Sequence, residues 1–217
     1  MFNSGLIEAA LHVSVLAHAS QRRKNSAKAF YVTHPIAVAI ICAQCGVMDE
    51  CVLAAAIMHD VIEDTTYSAQ EITKMMSEQF SCDEKTIKSI TQMILDLSEI
   101  KKDDAGNKLS WVVRKTEHLK RLQSCSDEVL IVKAADTYHN ISALLNDCKL
   151  SGFEAATSVF NTKLPSLKWY WKETLDLLLS REKTNTLLQI EARLQRAISE
   201  IERLEKTNDK NHCLSRT

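Results

Sequence analysis

Glycine and proline are scarce in this chain, with 4 Gly and 2 Pro among 217 residues, where average usage of the two together is about 12%. Sandwiches and barrels need far more turn residues, so long helices joined by few turns are the expected class. Charge of one sign is lacking too: 27 basic residues face 28 acidic ones, for a net charge of −1. A nucleic-acid binder concentrates a basic excess on one face, so nucleic acid is not an expected partner. The longest apolar runs, 36–43 and 51–58, fall short of the roughly 18 residues that suggest a membrane span. Residues 1–20 carry Glu8, His12 and His18 and no basic start. No secretory signal is visible there, and a cytoplasmic protein without a membrane partner is expected. The seven cysteines are odd in number and scattered, which reads as reduced thiols. Cys42 and Cys45 form a C-x-x-C, but no second pair or nearby His completes a zinc site, so core packing is the expected role. What the chain does have is a 45% apolar content, enough for a real core and too much for a disordered chain.

The few breakers and caps lay out the helices. A helix is expected over 4–19, followed by a polar loop over 21–29. Pro35 suits a first helical turn, with His34 as the cap residue and Gly46 closing the helix. Asp49 caps a helix that holds 51–58 and runs on toward Asp64. Ser68 with Glu71, and Ser81 with Glu84, have capping-box spacing, which predicts helices over 69–80 and 82–97. The polar stretch 98–110, with Gly106 inside it, reads as a long surface loop, a length often tied to function. Helices over 111–123 and 127–147 follow, and Gly152 and Pro165 bracket a further helical segment. Beyond Pro165 there is no breaker. Leu187, Ile190, Leu194, Ala197, Ile201 and Leu204 recur at spacings of three and four, a narrow stripe. Packing against its own domain and self-association as a homo-oligomer are the two readings of that stripe.

Chemistry concentrates at His59-Asp60. The dipeptide alone is weak, but it ends an eight-residue apolar run, and Glu63 and Asp64 follow within one turn. Three carboxylates within five residues repel, and burying them unpaired costs several kcal/mol each, on the order of the transfer penalty of a charged group. A cation is the simplest remedy; an exposed acidic helix end is the alternative. Asp136 is another carboxylate on an otherwise apolar helix, with Asn140 one turn later on the same face. His34 sits within Tyr31-Val32-Thr33-His34-Pro35. Two imidazoles and two carboxylates suit a divalent transition metal, and Mn, Fe, Co and Zn all fit that donor set.

The order His34, His59-Asp60, Asp136 resembles the H…HD…D signature of HD-domain metal-dependent phosphohydrolases. Gln21-Arg22-Arg23-Lys24, the Tyr31 to Pro35 segment, the run from Ala54 through His59-Asp60-Val61-Ile62-Glu63-Asp64-Thr65, and Lys133-Ala134-Ala135-Asp136 to Asn140 resemble the hydrolase domain of RelA/SpoT homologues. A stand-alone small alarmone hydrolase is the nearest likeness, over about residues 5–175. With the helical reading above, the expected fold is an all-α, compact multi-helix HD-domain bundle with a long C-terminal helix, residues 1–180 forming the hydrolase domain and 181–217, largely outside the resemblance, a helical extension and tail. The resemblance implies one Mn²⁺ per chain held by His34, His59, Asp60 and Asp136, with other divalent transition metals as substitutes. Glu63 and Asp64 would orient and deprotonate the attacking water, Asn140 would contact substrate, and Arg23 and Lys24 would line the nucleotide pocket. The implied reaction removes pyrophosphate from the 3′ position of (p)ppGpp, leaving GDP or GTP.

General chemistry agrees with that assignment. A multiply charged phosphoester needs a Lewis acid and an activated water, and one metal supplies both. A nearby carboxylate serves as base, and arginine's planar fork suits a phosphate or a purine face. The chain departs from the family on the substrate side, with Thr137-Tyr138-His139 before Asn140 and Ala29-Phe30 before Tyr31. A purine alarmone with adenine, (p)ppApp, the 2′-phosphate of NADPH, another nucleotide substrate of an HD phosphohydrolase, and a catalytically silent HD regulatory module are the competing readings.

Overall fold

The computed structural model describes residues 4–24, 28–80, 82–160 and 162–214, with the side chains of 79 and 211–214 left aside. Among the described residues the regular structure is helical, in the order α1 (Ser4–Ala17), α2 (Thr33–Gln44), α3 (Glu50–Met58), α4 (Val61–Asp64), α5 (Ala69–Phe80), α6 (Glu84–Leu97), α7 (Trp111–Leu122), α8 (Asp127–Ser151), α9 (Phe153–Ser158), α10 (Leu164–Leu179) and α11 (Asn185–Leu214). Helix α3 lies at the centre. Every residue from Val52 to Met58 is buried, as a helix apolar on all sides must be. It packs against α1, α2, α6 and α8, and the small side chains of Ala54, Ala55 and Ala56 leave room for those neighbours.

Helix α1 ends at Ala17 and α8 runs on to Ser151, and three further boundaries differ from the sequence expectation for a visible local reason. The α2 helix begins at Thr33 with Val32 as its cap, already in right-handed geometry. The reason is the turn before it, where the His34 amide donates to the Tyr31 carbonyl at 2.8 Å. His34 is therefore a buried residue of the first turn and not the cap, and Pro35 occupies a position where no amide donor is needed. The α3 helix stops at Met58, and the chain turns at His59-Asp60 before α4 starts. There the His59 ring bonds the Ala56 carbonyl at 2.8 Å, competing with the backbone for the last carbonyls of the helix. For α6 the cap is Asp83, whose side chain accepts from the Thr86 amide at 2.9 Å; Ser81, expected in that role, lies outside the described residues, as does part of the loop 21–29. The capping box at α5 is formed as expected, with the Ser68 amide donating to Glu71 at 2.7 Å and the Glu71 amide to Ser68 Oγ at 3.3 Å.

Two loops carry order of their own. An isolated bridge joins Arg22 to Phe30, and another joins Lys102 to Lys108. Inside the second, the Asn107 amide donates to Asp103 at 2.8 Å, and Gly106 takes φ +82°, which a side chain would resist. The long C-terminal helix lies along α8 and α10. Leu187, Ile190, Leu194, Ala197 and Ile201 are all buried there, each leucine or isoleucine contributing roughly 1.5–3 kcal/mol of burial. Cys42 and Cys45 are buried free thiols of the core, and burial pushes the Cys42 thiol up to about 12.

Candidate active site

Helix α2, the turn after α3 and helix α8 deliver His34, His59, Asp60 and Asp136 to one place. One ligand atom each from His34, His59 and Asp136 lie within 4.8 Å of one another, and all three residues are buried. His34 Nε2 is 3.1 Å from Asp136 Oδ1 and 3.5 Å from Asp60 Oδ2, and His59 Nε2 is 3.2 Å from Asp60 Oδ2. The donor set fits a divalent metal on one further ground: buried His59 Nε2 has the Asp60 carboxylate at 3.2 Å and makes no hydrogen bond to it, while its Nδ1 is engaged by Ala56. That leaves Nε2 as the ring atom turned toward the cluster, where a cation would take the place of its proton.

The electrostatics of the site attract positive charge. Burial works to lower the His59 imidazole, but Asp60 and Asp136 overcome it and push it up to about 9. Burial prevails at His34, which is lowered. Burial also works to raise Asp136, yet Lys133, His34 and His59 hold it well below the usual carboxylate range. Lys133 Nζ donates to Asp136 Oδ2 at 2.8 Å, and Asn140 Nδ2 to Oδ1 at 2.6 Å. Lys133, Asp136 and Asn140 follow one another at helical spacing on one face of α8.

Glu63 and Asp64 stand beside this cluster, and the repulsion expected between the carboxylates is relieved by two groups that sequence reasoning did not find. Tyr31 Oη donates to Asp60 Oδ2 at 2.7 Å and to Asp64 Oδ2 at 3.1 Å; burial first, then Asp60 and Asp64, raise its phenol and keep it a donor. From the 98–110 loop, Lys101 Nζ donates to Asp64 Oδ1 at 2.6 Å and to the Glu63 carbonyl at 2.7 Å. Glu63 Oε2 accepts from the Glu99 amide at 3.0 Å. Burial, then the Glu99 and Asp60 carboxylates, raise Glu63 to about 7. Glu99 is itself buried and paired with Arg114 at 3.1 Å and with Lys115.

A cleft of about 400 Å³ opens next to the cluster, lined by Arg23, Lys24, Asp64, Asp136 and Asn140 among others. Glu63, His34 and His59 are not on its wall. The segment around Arg23 is strapped down by backbone bonds, Arg23 to Ala29 at 2.9 Å and Tyr31 to Gln21 at 3.0 Å. Arg23 donates to Asn140 Oδ1 at 2.9 Å, so two expected substrate contacts are already joined. Arg22 lies over the Phe30 ring, 3.5 Å from its centroid. Cationic side chains of Lys115 and Lys133 and the rings of Trp111, Tyr170 and Trp171 line the same space, a combination that suits phosphates at one end and a flat base at the other. The signal for Lys133 was its i, i+3 spacing from Asp136; Lys101 and Glu99 left none, being far away in sequence. No helix among the described residues is long and apolar enough to cross a membrane.

Residues 10–160 match the HD-domain family. The chain is 29% identical over 143 residues to the guanosine-3′,5′-bis(diphosphate) 3′-pyrophosphohydrolase MESH1 of Xenopus tropicalis, a match covering 65% of this chain and 71% of that one. The protein of the same name from Homo sapiens is 32% identical over 130 residues, covering 57% and 72%. A Brucella ovis GTP pyrophosphokinase is 32% identical over 145 residues, but the match takes in 17% of that longer protein. Among solved structures, a metazoan orthologue of SpoT described as hydrolysing ppGpp superposes with a TM-score of 0.66 at 22% identity, over 90% of this chain and 97% of that one. At that identity the likeness concerns the fold.

Proposed function

This chain belongs to the HD-domain family, and on that premise we propose that it is a metal-dependent 3′-pyrophosphohydrolase of guanosine alarmones, releasing pyrophosphate from (p)ppGpp and leaving GDP or GTP. The observation that carries the reading is the placement of the buried His34, His59 and Asp136, with the half-buried Asp60 against them, beside a basic, aromatic cleft, together with the likeness to two pyrophosphohydrolases along most of their length.

His34, His59, Asp60 and Asp136 would hold one Mn²⁺ or a similar divalent ion. When bound, such an ion supplies a Lewis acid for a phosphoryl oxygen and a water that ionises near neutral pH. The chain's own side chains do the rest. Glu63, held near neutrality by burial and its carboxylate neighbours, takes the proton of the attacking water, as a base matched to the working pH should. Asp64, fixed by Tyr31 and Lys101, orients that water. Arg23 and Asn140, already hydrogen-bonded, meet the nucleotide, and Lys24 adds charge for its phosphates. Residues 1–180 form the hydrolase unit, and α11 braces α8, which carries Asp136, from behind.

The test is a substrate panel with purified protein and Mn²⁺, reading pyrophosphate against orthophosphate. Pyrophosphate from ppGpp is expected. Failure to convert it removes the guanosine reading, with ppApp turnover marking an adenosine alarmone and orthophosphate from NADPH marking a 2′-phosphatase.

A further inference from the structure

His34 and His139 meet nitrogen to nitrogen. Their Nδ1 atoms are 2.8 Å apart, and the ring centroids are 4.8 Å apart at a tilt of 43°. Two ring nitrogens at that distance share a single hydrogen, because two hydrogens clash and two lone pairs repel. Resting on the metal-centre part of the proposed function, we propose that His139 is a positioning residue which holds His34 in the one tautomer that can bind a cation.

His34 Nε2 faces Asp136 Oδ1 at 3.1 Å. Left to that neighbour alone, His34 gains most by placing its hydrogen on Nε2 and donating to Asp136, which occupies the lone pair a metal needs. An acceptor behind the ring reverses the preference: the hydrogen sits on Nδ1, donated to His139 Nδ1, and Nε2 is free to coordinate. At His59 the same task falls to a backbone carbonyl, since Nδ1 donates to Ala56 O at 2.8 Å. The two imidazoles of the cluster are thus oriented differently, one by main chain and one by a second imidazole. His139 follows Asp136 by three residues, so the helix face that supplies the carboxylate also supplies the acceptor. That spacing makes the pair a unit of α8, whereas its partner His34 comes from α2.

The full-length protein tests this through metal affinity, read by calorimetry with Mn²⁺ and no nucleotide. His139→Leu, which removes the acceptor, is expected to weaken Mn²⁺ binding by about 10- to 100-fold, the usual effect of losing an orienting partner. His139→Asn can place an amide oxygen where Nδ1 stood, and it is expected to retain wild-type affinity to within about threefold. A Leu variant that binds as tightly as wild type, or an Asn variant that is as weak as Leu, overturns the proposal. Nitrogen-15 NMR of the wild-type protein loaded with Zn²⁺ reads the tautomers without any substitution: hydrogen on His34 Nδ1 and on His139 Nε2 is expected, and hydrogen on His139 Nδ1 overturns it. A wild-type protein that takes up no divalent ion sinks the metal centre and this inference together. Mn²⁺ binding without pyrophosphate release sinks the substrate reading alone.

Discussion

The two halves of the site are built from different material. The His-Asp cluster stands on helices, with His34 in the first turn of α2, His59 at the end of α3 and Asp136 within α8, and all three are buried. The cleft beside it is walled in part by loop residues, Arg22, Arg23 and Lys24, and the adjoining carboxylates are held by Lys101 from a second loop, its side chain 41% exposed. The comparison teaches that the cluster is fixed by the core, so that its geometry is as rigid as helix packing makes it. The cleft can vary its loops without disturbing that core, which is where a family changes its substrate.

Removal of a cluster residue should have the largest effect. His59→Ala or Asp60→Ala is expected to abolish metal uptake, measured by elemental analysis, and to lower kcat/KM by about 10³-fold or more, the several kcal/mol a metal supplies. Turnover surviving in a metal-free variant would break the division between the two halves.

Next comes the base. Glu63→Gln should keep the metal and lose about 10²-fold or more in kcat. The pH profile expected of the proposed base follows from the same residue: its carboxyl is raised to about 7, a base acts deprotonated, and activity is therefore expected to fall as pH drops through 7. An unperturbed glutamate would delay that fall to about pH 4.3. A wild-type profile flat from pH 8 to 5 would show that Glu63 is not the base. The raised value also means that the ionised group opposes folding above pH 7, a strain relieved as the pH falls toward its ordinary value. Glu63→Gln should thus melt higher than wild type at pH 8, by calorimetry.

Cleft changes should act on binding more than on chemistry. Arg23→Ala removes a charged donor and the partner of Asn140, and a rise in KM of about 10-fold is expected, in line with 1.5–3 kcal/mol for a charged hydrogen bond. Metal content should be unchanged in that variant; a loss of metal would join the two halves after all. The smallest effect is expected for Tyr31→Phe. It deletes the donor shared by Asp60 and Asp64, for a loss of about 1–3 kcal/mol of stability, read as a fall of several degrees in Tm.

Much of the helical layout was legible because its signals are local. The Ser68-Glu71 box, the Asp49 cap and the α11 stripe each lie within a few turns of chain, and each formed as spaced. The start of α2 and the break at His59-Asp60 were not legible. Both are set by side-chain and turn hydrogen bonds that compete with the helix ladder, and propensity does not register them. Of the site, the residue types of the cluster could be named from the chain, since carboxylates and histidines on apolar helix faces stand out.

By itself, then, the sequence determined an all-helical protein, the placement of most of its helices, and the residue types that meet in the His-Asp cluster and the basic cleft beside it. Tertiary structure alone decided how those residues are held: His139 behind His34 across 105 residues, Arg23 on Asn140 across 117, and Lys101 on Asp64 across 37. Helix periodicity and capping are written in neighbouring residues, whereas these pairings depend on how separate helices pack, and nothing local in the chain encodes that distance.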